Sequence, residues 1–281
     1  MNNRGYAISA IIYPLLLVCL ILVLSILSDL ENKKNILDIF KNEQIKTKYD
    51  SYEDGTIIYF NPKTGEKCDD YVSSNSNTGN TTGCMKWYIF GDIEGALMVN
   101  MILDHNTTAS IAWNSSNLNT IGPSSTFLNA LKSSTDNWIG VPTRSDSYNF
   151  DNGTSKFTID YNGYRARIIT AQEVANISKY YDYNDKIAWF YLGSNNTTDT
   201  SKRSNYGWLY DRTSTNCKNY GCSNNSNVTT WGYWTATPLS GFDNLVLVVS
   251  PYGRVDNYYP NGSNSSWGIR PVITILKSTI K

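Results

Sequence analysis

The chain has 281 residues, with 24 basic and 24 acidic side chains and a formal net charge of +0; 17% of it is charged, below the roughly 25% of an average soluble domain. A balanced charge excludes a nucleic-acid binder, which needs a basic surface to release counterions. An aromatic content of 13%, including 21 Tyr and 8 Trp, excludes a disordered chain, because ring area on that scale offsets the entropy of ordering. Polar character comes mainly from Asn, Ser and Thr. Triplets of the N-x-S/T type at Asn106, Asn114, Asn176 and Asn264 would be glycan acceptors in a eukaryotic secreted protein, but compositional bias is the favoured reading.

Residues 1–6 read as a short leader and residues 7–28 as a transmembrane helix. From Ala7 to Leu27 the chain carries no charge, and a helix of that length crosses the ~30 Å hydrocarbon layer. Pro14 is tolerable there, because neighbouring groups re-satisfy the freed carbonyl. A cleaved signal fits less well, since the run exceeds the usual ~7–15 apolar residues and no small-x-small site follows. Residues 29–50 read as a juxtamembrane stem, with Ile36, Leu37, Ile39, Phe40 and Ile45 approximating a helical stripe. Arg4 precedes the membrane run, whereas Lys33, Lys34, Lys41, Lys46 and Lys48 follow it, so the positive-inside count opposes an external C-terminus. The local cysteine pairs and the lack of any cytosolic-enzyme motif favour one. The expectation is a single-pass cell-membrane protein, held in the lipid bilayer by residues 7–28, with residues 51–281 extracellular. Asn2 to Tyr6 (NNRGY), followed at once by an apolar helix, resembles the start of type IV pilins and pseudopilins. That resemblance implies cleavage between Gly5 and Tyr6, and pilus or secretion-apparatus subunits as partners. The fifth mature position is Ala10 rather than the family's Glu, which puts polymerisation in doubt. A plain signal-anchor accounts for the same residues.

Beyond Tyr49 the pattern changes to short β-type runs separated by turn chemistry. Thr56–Phe60 is strand-like and Asn61–Gly65 is a turn. Asp69–Gly83 is a polar loop. Trp87–Phe90 and Ala96–Asp104 read as two strands joined near Gly91–Gly95. Phe127–Ser133 and Ala171–Ser178 are helix candidates, the second with Thr170 as N-cap and Glu173 as its capping-box partner. Arg165–Ile169 reads as a strand, as do Leu245–Ser250, an almost continuous apolar run, and Val272–Leu276. The fold class is α+β: a loop-rich domain of short antiparallel strands and few helices.

Cys19 is a small apolar filler within the membrane run. The other cysteines form two local sets, Cys68 with Cys84 and Cys217 with Cys222. Of the three possible pairings the local one is preferred, because each pair closes a polar loop. A zinc site competes poorly, since Cys68 and Cys84 lack the short knuckle spacing. His105 is the sole histidine, too few for a triad or a His-rich metal site, and no nucleophile elbow, zincin motif or phosphate-binding Gly loop occurs. Nothing marks Asp92, Glu94, Asp104 or Glu173 as a hydrolytic acid pair. No catalytic residue, metal or cofactor is expected. Arg270 and Trp234 read as structural.

Five segments together carry a further resemblance: Gly83–Tyr88 (GCMKWY), Ile102–Thr108 (ILDHNTT) with Ala112–Asn114, Gly163–Asn176 (GYRARIITAQEVAN), Tyr233–Pro238 (YWTATP) and Gly268–Thr274 (GIRPVIT). They resemble uncharacterised membrane-anchored surface proteins of Gram-positive bacteria. The terminal pattern is similar to C-type-lectin-like domains of the formylglycine-generating-enzyme branch. The resemblance implies that fold for residues 51–281, with ligand contacts on the last strands and loops. The enzymes of that branch work through cysteines near those strands; Cys217 and Cys222 lack their active-site pattern, so no activity is carried over. Tyr252–Gly262 reads as a hairpin tip or long loop. Tyr252, Arg254, Asp256, Tyr258 and Tyr259 are the candidate ligand contacts, for a glycan or a protein, because such residue types build adaptable binding surfaces. The competing view is that Tyr258, Tyr259 and Trp267 merely cover the core. The functional expectation is surface binding or adhesion without catalysis; the alternative is a minor pilin or pseudopilin.

Overall fold

The computed structural model describes residues 51–69, 83–108, 110–193, 205–210, 232–262 and 267–281. The expected leader, Gly5/Tyr6 junction, membrane helix and stem lie outside them, as do Cys19, Cys217 and Cys222. The chain divides into two units, 1–50 and 51–281, and every described residue belongs to the second. Among the described residues no helix is long and apolar enough to cross a membrane.

Unit 51–281 is α+β and mostly antiparallel. In the first sheet, β1 (Ile57–Asn61) pairs with β2 (Glu66–Lys67) and with β3 (Met85–Phe90). Strand β4 (Met98–Leu103) lies between β3 and the last strand, β12 (Val272–Leu276). The first and last strands of the unit therefore share one sheet. A separate hairpin joins β5 (Ser147–Asp151) to β6 (Lys156–Asp160). Strand β7 (Phe190–Tyr191) is the edge of the second sheet, next to β10 (Arg254–Tyr258), β9 (Val246–Ser250) and β8 (Gly232–Pro238). Strand β11 (Trp267–Gly268) closes that sheet in parallel with β8.

Strand β9 is buried along its whole length, and its alternating side chains supply two different cores. Val246 and Val248 pack into a cluster with Trp87, Trp113, Trp138 and Trp234. Leu247 and Val249 pack into another with Phe190, Tyr233 and Val255. A strand covered on both faces reads as an unbroken apolar run. Strand β8 is buried in the same way but carries Thr235 and Thr237, whose hydroxyls are satisfied: Thr235 Oγ1 donates to Leu247 O at 2.8 Å and Thr237 Oγ1 accepts from Ala171 N at 3.0 Å.

Among the described residues the unit has three α-helices. Helix α1 (Ser125–Thr135) starts at Ser124, whose hydroxyl accepts from Phe127 N, and turns Phe127 and Leu131 inward. Helix α2 (Ala171–Ile177) begins with the expected capping box of Thr170 and Glu173. Helix α3 (Gly207–Tyr210) is a single turn.

Three sequence readings need correction. Arg165–Ile169 is not a strand: it makes a single bridge, Arg167 to Val272. Its remaining backbone groups are taken individually; the Ile168 amide donates to Tyr161 Oη and Ile169 O accepts from Ala236 N. Residues 254–258 are a strand rather than a loop, and only 251–253 form the turn. The β5–β6 hairpin was not anticipated, although its turn holds Asn152 and Gly153, the latter at φ +81°, where glycine is favoured.

Cys68 and Cys84 form a disulfide, as the local pairing anticipated. It ties the segment after β2 to the start of β3. With a sequence separation of 16, the chain-entropy estimate is about 3 kcal/mol. Replacing both cysteines with serine should lower the urea-unfolding free energy of the oxidised protein by about that amount. A shift within about 0.5 kcal/mol would show that the bridge constrains little.

Candidate functional site

Strand β10 alternates, as pleating requires. Val255 faces the core and is fully buried. Arg254, Asp256 and Tyr258 point to the opposite face, in register with Ser250, Val248 and Val246 of β9. Val248 also pairs with Trp234. One face of the sheet thus runs from a buried tryptophan outwards to Asp256. On the other side of β10, Arg254 is in register with Tyr191 and Val255 with Phe190. Continuing that register puts Trp189 opposite Asp256. Asn257 fixes the approach by donating from Nδ2 to Ala188 O at 2.9 Å.

The result is a polar-aromatic stripe. Arg254 and Asp256 pair at 2.6 Å, with side chains 36% and 27% exposed. Around them stand Trp189, exposed and edge-on to Tyr191 at 5.6 Å, and Tyr258, which packs on Trp267 at 5.5 Å and on Tyr259 at 6.3 Å. Tyr259 is exposed, while Trp267 is buried against Trp234. Of the five predicted contacts, Arg254, Asp256, Tyr258 and Tyr259 come together here. Tyr252 is exposed at the β9–β10 turn. Sequence reasoning missed Trp189 and Tyr191; the Trp-Phe-Tyr alternation at 189–191 was the available signal.

A cleft of about 290 Å³ opens elsewhere, between the β5 end and the start of α2, lined by Asp146, Tyr148, Tyr161, Arg167, Thr170 and Glu173 among others. Its charged groups are already engaged. Glu173 accepts from both Arg167 Nη atoms, at 2.8 and 2.5 Å, and from the Thr170 amide and hydroxyl. Partial burial acts to raise the Asp146 pKa, but the hydrogen bond and charge of Arg144 prevail and hold it below the usual carboxylate range. These partners tie the cleft's carboxylates to α2 and to the approach to β5.

Asp92, Asp104 and His105 are structural by position, whereas Glu94 is exposed. Asp92 is buried against Lys277. Asp104 and His105 are sealed from solvent, so neither can touch an external ligand. Burial, helped by the charge of Arg270, lowers the His105 pKa from 6.5 to about 3. A histidine with a depressed folded pKa stays neutral while the unfolded chain protonates. Its contribution to stability is therefore complete above about pH 6.5 and is lost as pH falls towards about 3, at up to about 1.4 kcal/mol per pH unit. His105→Gln should flatten that part of the profile of urea midpoint against pH. A variant profile superimposed on the wild type would refute the assignment.

Among the described residues no group of three or more His, Cys, Asp or Glu side chains could hold a metal ion. No protein-family model, curated protein or solved structure matches the chain.

Proposed function

We propose that the protein is a membrane-anchored bacterial surface protein whose C-type-lectin-like unit 51–281 binds a glycan through the exposed face of β7 and β10. The observation that carries this reading is the stripe of Trp189, Tyr191, Tyr258 and Tyr259 flanking the Arg254–Asp256 pair. Aromatic faces cover the C–H side of a sugar ring, while a guanidinium and a carboxylate supply charge-assisted bonds to its hydroxyls. Trp189, Tyr258 and Tyr259 are exposed and Tyr191 is half-buried, which fits the usual division between a packed frame and contact residues. The Cys68–Cys84 bridge suits an oxidising exterior.

The test is a glycan array probed with the full-length protein in detergent, alongside thermal melting. Tyr258→Ala should abolish most array binding while changing stability by no more than about 1 kcal/mol. Trp234→Ala, which removes a fully buried ring that donates from Nε1 to Ile111 O at 2.7 Å, should cost about 3–5 kcal/mol. Unfolding by Tyr258→Ala, or undiminished binding, would move the site elsewhere.

A further inference from the structure

We infer that the ligand of the β7–β10 face is an uncharged glycan and that the face discriminates against anionic sugars. This rests on reading the face as a glycan site and specifies its ligand. Strands β7 and β10 carry two charged residues, Arg254 and Asp256, and these neutralise each other at 2.6 Å. The paired groups retain hydrogen-bonding capacity. A guanidinium has five N–H donors and a carboxylate roughly four acceptor sites, so although Arg254 Nε is buried and Asp256 Oδ1 accepts from the Asn257 amide, both groups can still bond further. Neighbouring hydroxyls on a sugar are both donors and acceptors. They can bridge Arg254 and Asp256 without breaking the pair.

An anionic sugar meets a different balance. Attraction by Arg254 is offset by Asp256 a few ångströms away, since both interactions follow the same distance law. Drawing Arg254 away would take the ionic partner from the partly covered Asp256 carboxylate and leave it the Asn257 amide, which donates to Oδ1 at 3.0 Å. The rings on either side present faces with a negative quadrupole, which welcome the weakly positive C–H groups of a sugar and not a carboxylate or sulfate. Discrimination by an unpaired or repelled charge is the usual physical route to ligand specificity.

The experiment titrates full-length protein in detergent, by calorimetry, with matched pairs of probes: gluco-, manno- and galacto-pentamers and their C6-carboxylated counterparts. The neutral member of the best-bound pair should bind at least about tenfold tighter, with an affinity insensitive to added salt. Asp256→Asn, which releases Arg254, should narrow or reverse that preference. Equal or tighter binding of the carboxylated pentamer to the wild type would overturn the inference while leaving the glycan site standing. Failure of every pentamer to bind, or wild-type affinity in Trp189→Ala, would overturn the glycan site itself. Should Asp256→Asn fail to fold, the matched-pair ratio and the salt response of the wild type still decide.

Discussion

Arg270→Ala should cost about 4 kcal/mol or more, a large share of the roughly 5–15 kcal/mol that holds a domain of ordinary stability together. Arg270 is fully buried. Its Nε donates to Leu103 O at the end of β4, while Nη1 and Nη2 donate to Leu209 O and Trp208 O in α3. Its guanidinium also lies 5.3 Å from the Tyr233 ring centroid. Truncation leaves three carbonyls without this donor, at about 1–3 kcal/mol for each that becomes unsatisfied, and opens a cavity beside β8. Arg270→Lys should rescue little, because a single ammonium cannot reproduce the planar fork. The measurement is the urea midpoint of full-length protein; a midpoint within error of wild type would mean that α3 does not depend on Arg270.

Lys277→Met should cost about 3–5 kcal/mol, the usual penalty for stranding one member of a buried ion pair. The Lys277 and Asp92 side chains are both completely inaccessible, with Nζ 2.7 Å from Oδ1 in an ionic contact that is not a directed hydrogen bond. Nζ also donates to Ile93 O at 3.2 Å, and Asp92 Oδ2 accepts from the Tyr52 amide at 2.8 Å. The pair thus links the start of unit 51–281 to the 3₁₀ turn Lys277–Thr279. Removing both charges together should be much milder, as buried pairs exchanged for neutral groups often are. Asp92→Asn with Lys277→Met keeps an amide oxygen for Tyr52 while leaving no bare charge. Denaturation of both single variants and the double forms the cycle; a double variant as unstable as Lys277→Met alone would contradict this account.

Sequence pattern made some of these features legible and hid others for identifiable reasons. The α2 capping box could be read because Thr170 and Glu173 are local partners. The apolar run of β9 and that of β12 were visible because burial on both sides leaves little polar interruption. Strand β8 escaped the same reading, since Thr235 and Thr237 look solvent-facing until their partners at Leu247 and Ala171 are known. Strand β10 was mistaken for a loop because Arg254, Asp256 and Asn257 carry turn-like chemistry, whereas its identity comes from pairing with β9 and β7. Tyr258 belonged to neither simple alternative: it packs on Trp267 yet stays partly exposed. The Trp-Phe-Tyr alternation at 189–191 could suggest a strand but not its place in the sheet. Only the ladder brings Trp189 and Tyr191 beside residues more than sixty positions away, and no local periodicity records a long-range register.

Hydroxyl-radical footprinting of the full-length protein, with and without the glycan that binds best on the array, tests the proposed face directly. Trp189, Tyr258 and Tyr259 are accessible in the free protein. Bound ligand should lower their oxidation together, while Tyr181, more accessible and on a different segment, should be oxidised as before. Protection confined to Tyr181 or the Asp146–Glu173 cleft, or unchanged oxidation at Trp189 and Tyr258 under saturating ligand, would contradict the assignment of the binding face.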